Sequence, residues 1–288
     1  MSVPAPFDYH TAKTVDEAIA LLQQYGDEAK VLAGGHSLIP AMKLRLSQPG
    51  HLVDIGRIDG LSYIRDESGN VAVGAMTTYT TLSRSDPLRR HFALLTDAAS
   101  VIADQQVRNR GTIGGSIAHS DPAGDMPAIV LALKADIIAQ GPNGKRTIKA
   151  DDFFVGTFET ALQADEILTE IRFAIPPAHT GSAYIKLENK ASHYATAGAA
   201  VVISLNGDGT CSSASVAITG ASTKTTRASA VEAALVGKKL DEATIAEAAS
   251  HAAEGLELVS DIHGSRDYRR QMSSVITRRA IQQALERA

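Results

Sequence analysis

The chain has 288 residues, so two domains, or one domain with subdomains, is the natural expectation. Hydrophobic residues at 44% and charged residues at 21% are ordinary for a globular protein, and a net charge of −4 without a basic run gives no reason to expect nucleic acid. Nothing approaches the roughly twenty apolar residues of a membrane span, the N-terminus lacks the basic and apolar regions of a signal peptide, and the single cysteine, Cys211, excludes an internal disulfide or a Cys-ligated cluster.

Thr14-Val15-Asp16-Glu17 is a capping box with Gly26 as the stop, which predicts a helix over about 15–25. Lys30 to Ala33 reads as a strand, a second helix begins after Ser37 and runs through Met42, and Leu52 to Ile55 is another strand. Leu61–Arg65 and Val71–Ala75 flank Asp66-Glu67-Ser68-Gly69-Asn70 as a hairpin. Thr78 to Ile102 is helical with a break near Asp86-Pro87. Asp121-Pro122-Ala123-Gly124-Asp125 turns into the apolar segment Met126–Leu133. Asp136–Ala139 and Arg146–Ile148 are strands joined by Pro142-Asn143-Gly144, and Ile167–Ile175 is a strand with a charged centre. Residues 176–182, with two prolines and a glycine, form the best linker. Beyond it lie strands at Ala195–Leu205 and Ser213–Thr219 and helical segments near 226–236, 241–253 and 265–287. The last of these puts Tyr268, Met272, Val275, Ala280 and Leu285 at helical spacing. The pattern is α+β.

Two glycine pairs stand out, Ala33-Gly34-Gly35-His36-Ser37 and Thr112-Ile113-Gly114-Gly115-Ser116. Glycines let main-chain N–H groups approach a ligand that a Cβ would hold off, and successive N–H groups form an anion-binding nest. Either pair alone is a tight strand-to-helix turn. Two, each followed by Ser, point to a ligand with two linked phosphates, a dinucleotide. No Walker A, Gly-x-Gly-x-x-Gly, Gly-x-Ser-x-Gly or His metal spacing occurs. His36 is either a pocket lining or a turn histidine. Asp125 either caps the following helix or accepts from ribose hydroxyls. Lys186 and Tyr194, considered alone, read as an exposed cation and a half-buried aromatic.

Along nearly its whole length the chain resembles the FAD-binding medium subunits of the molybdenum hydroxylases, most closely the aerobic carbon monoxide dehydrogenase branch. The carriers include Phe7-Asp8-Tyr9-His10, Ala33 to Pro40, Val73 to Thr78, Gln106 to Gly115 and Asp121 to Ala128. Tyr184 to Leu187, Tyr194 to Ala197, Tyr268-Arg269-Arg270 and Arg278-Arg279-Ala280 add to them. The resemblance implies a vanillyl-alcohol-oxidase (PCMH-type) FAD domain over 1–177, with subdomains of about 1–55 and 56–177. A small C-terminal domain of antiparallel sheet and helices over 178–288 would follow. It implies pyrophosphate contacts at Ala33, Gly34, Gly35, His36 and Ser37, and at Thr112, Gly114, Gly115 and Ser116. Asp125 would meet the ribose, and Lys186 and Tyr194 would lie near the isoalloxazine ring. Further FAD contacts are implied at Leu32, Leu38, Ala75, Thr78, Ile102, Gly111, Ala118, Asp121 and Leu168.

By the same resemblance the partners are a [2Fe–2S] small subunit and a molybdopterin large subunit in a dimer of heterotrimers. An external acceptor such as quinone would receive the electrons. The expected location is the cytoplasm or the inner face of the membrane. No catalytic residue and no metal ligand is expected in this chain. The family often has Asn where Ser116 stands, and residues 188–193 are less basic than the carbon monoxide pattern. A flavin subunit of an aromatic, N-heterocycle or aldehyde hydroxylase is therefore an alternative, as is a free-standing flavin oxidoreductase. A scaffold whose glycine turns are only structural predicts a colourless protein; every flavin reading predicts a yellow one.

Overall fold

The computed structural model describes residues 3–288. The chain builds three sheet-based units in order, each closed by its own helices. The first carries β1 (Asp8–Thr11), α1 (Val15–Tyr25), β2 (Ala29–Leu32), α2 (Leu38–Lys43) and β3 (His51–Asp54) in a parallel sheet of order β1-β3-β2. Thr14 caps α1 by accepting from the Glu17 N–H, and Glu17 returns a carboxylate to the Lys13 N–H. Ala18, Ile19 and Leu22 lie on the buried face of α1, over Val53 and Ile55.

The second unit runs through β4 (Ile64–Glu67), β5 (Asn70–Gly74), α3 (Tyr79–Ser83), α4 (Asp86–His91), α5 (Ala93–Val101), α6 (Gln105–Arg108), α7 (Ile113–His119) and α8 (Asp125–Ala132). It continues with β6 (Asp136–Gly141), β7 (Gly144–Lys149), α9 (Ala150–Phe153), β8 (Phe154–Gly156), β9 (Glu159–Thr160) and β10 (Ile167–Ala174). Its sheet order is β4-β5-β10-β6-β7, wholly antiparallel. Helix α8 is buried on every side, which is why its sequence is apolar without periodicity.

The third unit contains β11 (Thr180–Glu188), β12 (Ala195–Leu205), β13 (Cys211–Thr219), β14 (Thr226–Arg227), α10 (Ser229–Leu235), α11 (Glu242–Ser250) and α12 (Arg266–Leu285), with sheet order β11-β12-β13-β14. Small residues along β12 let α12 cover one face and α8 the other. The burial of Tyr184, Ala200 and Ala217 in the core of the second unit joins the two units. Among the described residues no helix is long and apolar enough to cross a membrane.

Several expectations shift. Asp66, Glu67 and Asn70 belong to strands, because Gly69 at φ +83° closes the hairpin in two residues. The 78–102 helix breaks twice: before Asp86-Pro87, and again at Phe92, whose ring is drawn wholly into the core against Phe173. The linker ends earlier, since Thr180 already pairs with Ser204. Thr226 and Arg227 are an edge strand on β13, not helix, and α11 gives way to a 3₁₀ turn at His251–Ala253. The buried stripe of α12 is Arg269, Ser273, Ile276, Thr277, Ala280, Ile281 and Ala284; of the predicted stripe only Ala280 is fully buried. Apolarity misled there. Arg269 is buried because its guanidinium is paired with Asp261 and bonded to the Thr196 and Gly220 carbonyls, which leaves Tyr268 on the outside.

Candidate flavin dinucleotide site

A cavity of about 660 Å³ opens where the three units meet. Its size lies within the range of sites that enclose a cofactor. One wall is the turn between β2 and α2. The N–H groups of Gly34, Gly35, His36 and Ser37 donate no hydrogen bond among the described residues. Four consecutive free donors form a concave anion-binding surface. His36 is fixed by a ring-nitrogen contact of 2.9 Å to the Gly34 carbonyl. Gly35 sits at φ +75°, a left-handed backbone that favours glycine, and a Cβ there would meet Ile39 and Leu32 side chains at 3.2 and 3.3 Å. That Cβ would point under the turn, away from the ligand face.

The opposite wall is the start of α7, and here the symmetry of the two glycine pairs fails. Ile113 N–H bonds the Thr77 carbonyl at 3.0 Å, Gly114 N–H the Ala75 carbonyl at 2.9 Å, and Gly115 N–H the Thr112 hydroxyl at 3.1 Å. This pair is a capped helix start pinned to the strand end at 75–77, not a second open nest. Its glycines serve close packing: a Cβ on Gly114 would press on Ala75, and one on Gly111 would lie 2.5 Å from the Tyr79 ring. The two turns also touch. A Cβ on Gly34 would overlap the Arg110 carbonyl and lie 3.0 Å from Gly111 Cα, while one on Gly115 would come within 3.6 Å of Ala33.

Of the predicted contacts, Ala33 to Leu38, Ala75, Ile102, Gly111, Thr112, Gly114 to Ser116, Ala118, Asp121, Asp125, Leu168 and Tyr194 line this one cavity. Leu32, Thr78 and Lys186 do not. Leu32 supports the turn from below Gly35. The Thr78 hydroxyl caps α3 by accepting from Thr81 N–H.

Lys186 is the larger correction. Its side chain is 4% exposed, not a surface cation, and its ammonium bonds Asp125 at 3.1 Å and the His193 carbonyl at 2.8 Å. Asp125 is the first residue of α8, where a carboxylate also favours the helix dipole. It accepts from Lys186 and from the buried Tyr184 hydroxyl. Burial pushes the Asp125 carboxyl up from its ordinary value, against the pull of Lys186 and Tyr184. A carboxylate has about four acceptor positions, so ligand hydroxyls can still be accepted at the cavity face.

Tyr194, 43% exposed, closes the mouth from the third unit beside Ser37 and Asp121, and burial raises its phenol pKa. Tyr79, Met76, His119, Phe158, Glu166 and His193 also line the cavity and escaped the sequence reading. Tyr79 had a signal, since it follows the Val73–Thr78 segment directly. Phe158 and Glu166 had none, because the fold of 154–166 over α7 brings them there. Of the seven non-glycine residues with positive φ among the described residues, Ala103, Phe158 and His193 line this cavity. Each costs on the order of 1–3 kcal/mol, and such strain gathers at functional sites.

An open main-chain anion cradle facing a capped helix start, with a buried carboxylate and a tyrosine at the mouth of the same cavity, is a site of the dinucleotide-binding type. The four free N–H groups of the Gly34–Ser37 turn suit the linked phosphates of such a ligand, and the Asp125 carboxylate at the same cavity suits its hydroxyls, so the residues fit the group. The model for the FAD binding domain in molybdopterin dehydrogenase matches residues 5–177, and that for the CO dehydrogenase flavoprotein C-terminal domain matches 182–284. The chain belongs to this family of molybdenum hydroxylase flavin subunits; it is an FAD-dependent oxidoreductase subunit, and FAD is its cofactor.

It is 44% identical over 285 residues to the carbon monoxide dehydrogenase medium chain of Hydrogenophaga pseudoflava, covering 99% of both chains. The structure of carbon monoxide dehydrogenase from that organism lacking the Mo-pyranopterin moiety aligns with TM-score 0.96 and 46% identity over 99% of each chain. Quinoline 2-oxidoreductase from Pseudomonas putida 86 aligns with TM-score 0.91 and 35% identity over 99% of this chain and 98% of that one.

Proposed function

We propose that this chain is the electron-transfer subunit of an aerobic carbon monoxide dehydrogenase. A molybdopterin large subunit oxidises CO with water to CO₂, and a [2Fe–2S] small subunit relays the electrons here. An external acceptor such as quinone removes them, with the complex a dimer of heterotrimers in the cytoplasm or at the inner face of the membrane. The observation that carries the reading is 44% identity across essentially the whole of this chain and of a carbon monoxide dehydrogenase medium chain. The single cysteine supports it, because a chain without cluster ligands must receive electrons from clusters elsewhere. A hydroxylase of N-heterocycles is the second reading, supported by the 35% identity to quinoline 2-oxidoreductase.

Bound FAD supplies a carrier that takes electrons singly and releases them in pairs. The chain's own groups hold and enclose it. The free N–H groups of Gly34 to Ser37 take the pyrophosphate oxygens, with the Thr112–Ser116 segment behind. Asp125 accepts from ribose hydroxyls, and Tyr194 covers the ring end. In this reading residues 1–177 bind the dinucleotide and 178–288 close the cavity.

The test is coexpression with the two partner subunits, then anaerobic addition of CO while the flavin absorbance is followed. Bleaching with CO and none with quinoline is expected. Bleaching by quinoline alone supports the second reading, and a colourless complex overturns both.

A further inference from the structure

The chain between α5 and α6 bends at Ile102 and Ala103, and both residues line the flavin cavity. Ala103 stands at φ +43°, a left-handed backbone that an alanine adopts only where its surroundings hold it there. Arg108 holds it. One terminal nitrogen of its guanidinium donates to the Ile102 carbonyl at 2.8 Å and to the Ala103 carbonyl at 2.7 Å, and the other to Gln105 Oε1 at 3.4 Å. Gln105 is in turn tied by its amide nitrogen to Thr80 and Asn109, at 3.0 and 2.7 Å. The recorded partners of this cation are two main-chain oxygens and a side-chain amide, not a carboxylate.

Peptide geometry carries the effect to the donors. No peptide bond among the described residues is cis, and across a planar trans unit the carbonyl and the next N–H point in opposite directions. The Ile102 carbonyl faces Arg108, so the Ala103 N–H faces away from it. The Ala103 carbonyl also faces Arg108, so the Asp104 N–H faces away as well. Neither N–H has an acceptor among the described residues. Arg108 is not part of the cavity lining to which Ile102 and Ala103 belong, so it clamps the bend from outside.

The acceptors that FAD offers narrow the partner. In the placement given above its pyrophosphate oxygens go to Gly34–Ser37, and its ribose hydroxyls donate to Asp125. The wall that carries Ile102 and Ala103 continues through Val107 and Gly111 to Tyr79, whose phenol lies in the field of Tyr194 at the ring end. We propose that Arg108 is a positioning residue for the flavin: by holding the Ile102 and Ala103 carbonyls, it presents the Ala103 and Asp104 N–H groups to a carbonyl oxygen of the flavin ring. Donors fixed at that oxygen stabilise the charge it gains on reduction more than the charge it carries before, and so raise the flavin potential. This rests on the placement of FAD proposed above.

The experiment is infrared spectroscopy of the purified full chain loaded with FAD carrying carbon-13 at its ring carbonyls, with a redox titration and the FAD affinity measured beside it. Arg108→Leu should move the labelled carbonyl band to higher frequency and lower the flavin potential. It should weaken FAD by roughly three- to tenfold, the range of one hydrogen bond. Arg108→Gln keeps one amide donor where the guanidinium spans two carbonyls, so it should shift band and potential the same way by less; it decides alone if the leucine variant does not fold. A role confined to folding predicts a lower melting temperature with band and potential unmoved, and that result would overturn the proposal. So would a shift of the FAD phosphorus resonances in place of the carbonyl band. A wild-type chain that takes up no FAD removes the placement of FAD together with this inference, whereas a yellow chain whose band ignores Arg108 removes this inference alone.

Discussion

At the scale of single residues, the two glycines of the first turn do different work. Gly34 has no room for a Cβ, because the Arg110 carbonyl and Gly111 backbone occupy it and backbone cannot step aside. Gly34→Ala should destabilise the chain by about 1–3 kcal/mol, as overpacking does, and release flavin by parting the two turns. Gly35→Ala places its methyl against flexible Ile39 and Leu32, so its penalty is mainly the left-handed backbone, about 1–2 kcal/mol. It should keep its flavin with a lowered melting temperature. Urea titration and flavin absorbance on both variants check this; a colourless Gly35→Ala beside a yellow Gly34→Ala would reverse the assignment. Composition and motif announced both glycines. That the second pair would commit its amides to Ala75 and Thr77 was not readable, because those acceptors lie some forty residues away in sequence and belong to another element.

Among elements, the pairing of β11 with the start of α8 governs the lid. Lys186 on β11 ties Asp125 on α8 to the His193 carbonyl, and so fixes the loop that carries Tyr194. The sequence alone reads Lys186 as an exposed cation, because alternation within a strand cannot tell a solvent face from one covered by a buried helix. Lys186→Met leaves Asp125 buried without its cation, a loss of about 3–5 kcal/mol when the carboxyl is ionised. The sign with pH follows. The Asp125 carboxyl already sits above its ordinary value of 3.8, and losing Lys186 moves it further up. The folded variant then holds a proton that the unfolded chain releases, so its stability falls as pH rises through that window. Urea unfolding should show the variant's deficit large at pH 8 and small at pH 5. A deficit independent of pH would mean that the Lys186 ammonium does not compensate Asp125. Helix α12 teaches a related lesson: its buried stripe runs through Arg269, Ser273 and Thr277, polar residues whose burial no apolar periodicity could announce.

For the molecule as a whole, most strands and helices were legible because turn chemistry and capping are local. The cavity between three units was not, because it depends on how far each unit leans on the next. The unequal turns of that cavity have a consequence for water. Amides 113–115 are bonded within the protein before any ligand arrives, whereas those of 34–37 have only solvent to donate to. In deuterium exchange of the flavin-free chain, the first turn should label at nearly the rate of an open peptide while the second stays protected. Adding FAD should slow the first turn alone. Equal protection of both turns without flavin would contradict this division. The binding step is then a replacement of hydration at one turn: half of the site is set in advance, and the other half is kept wet until the pyrophosphate dries it.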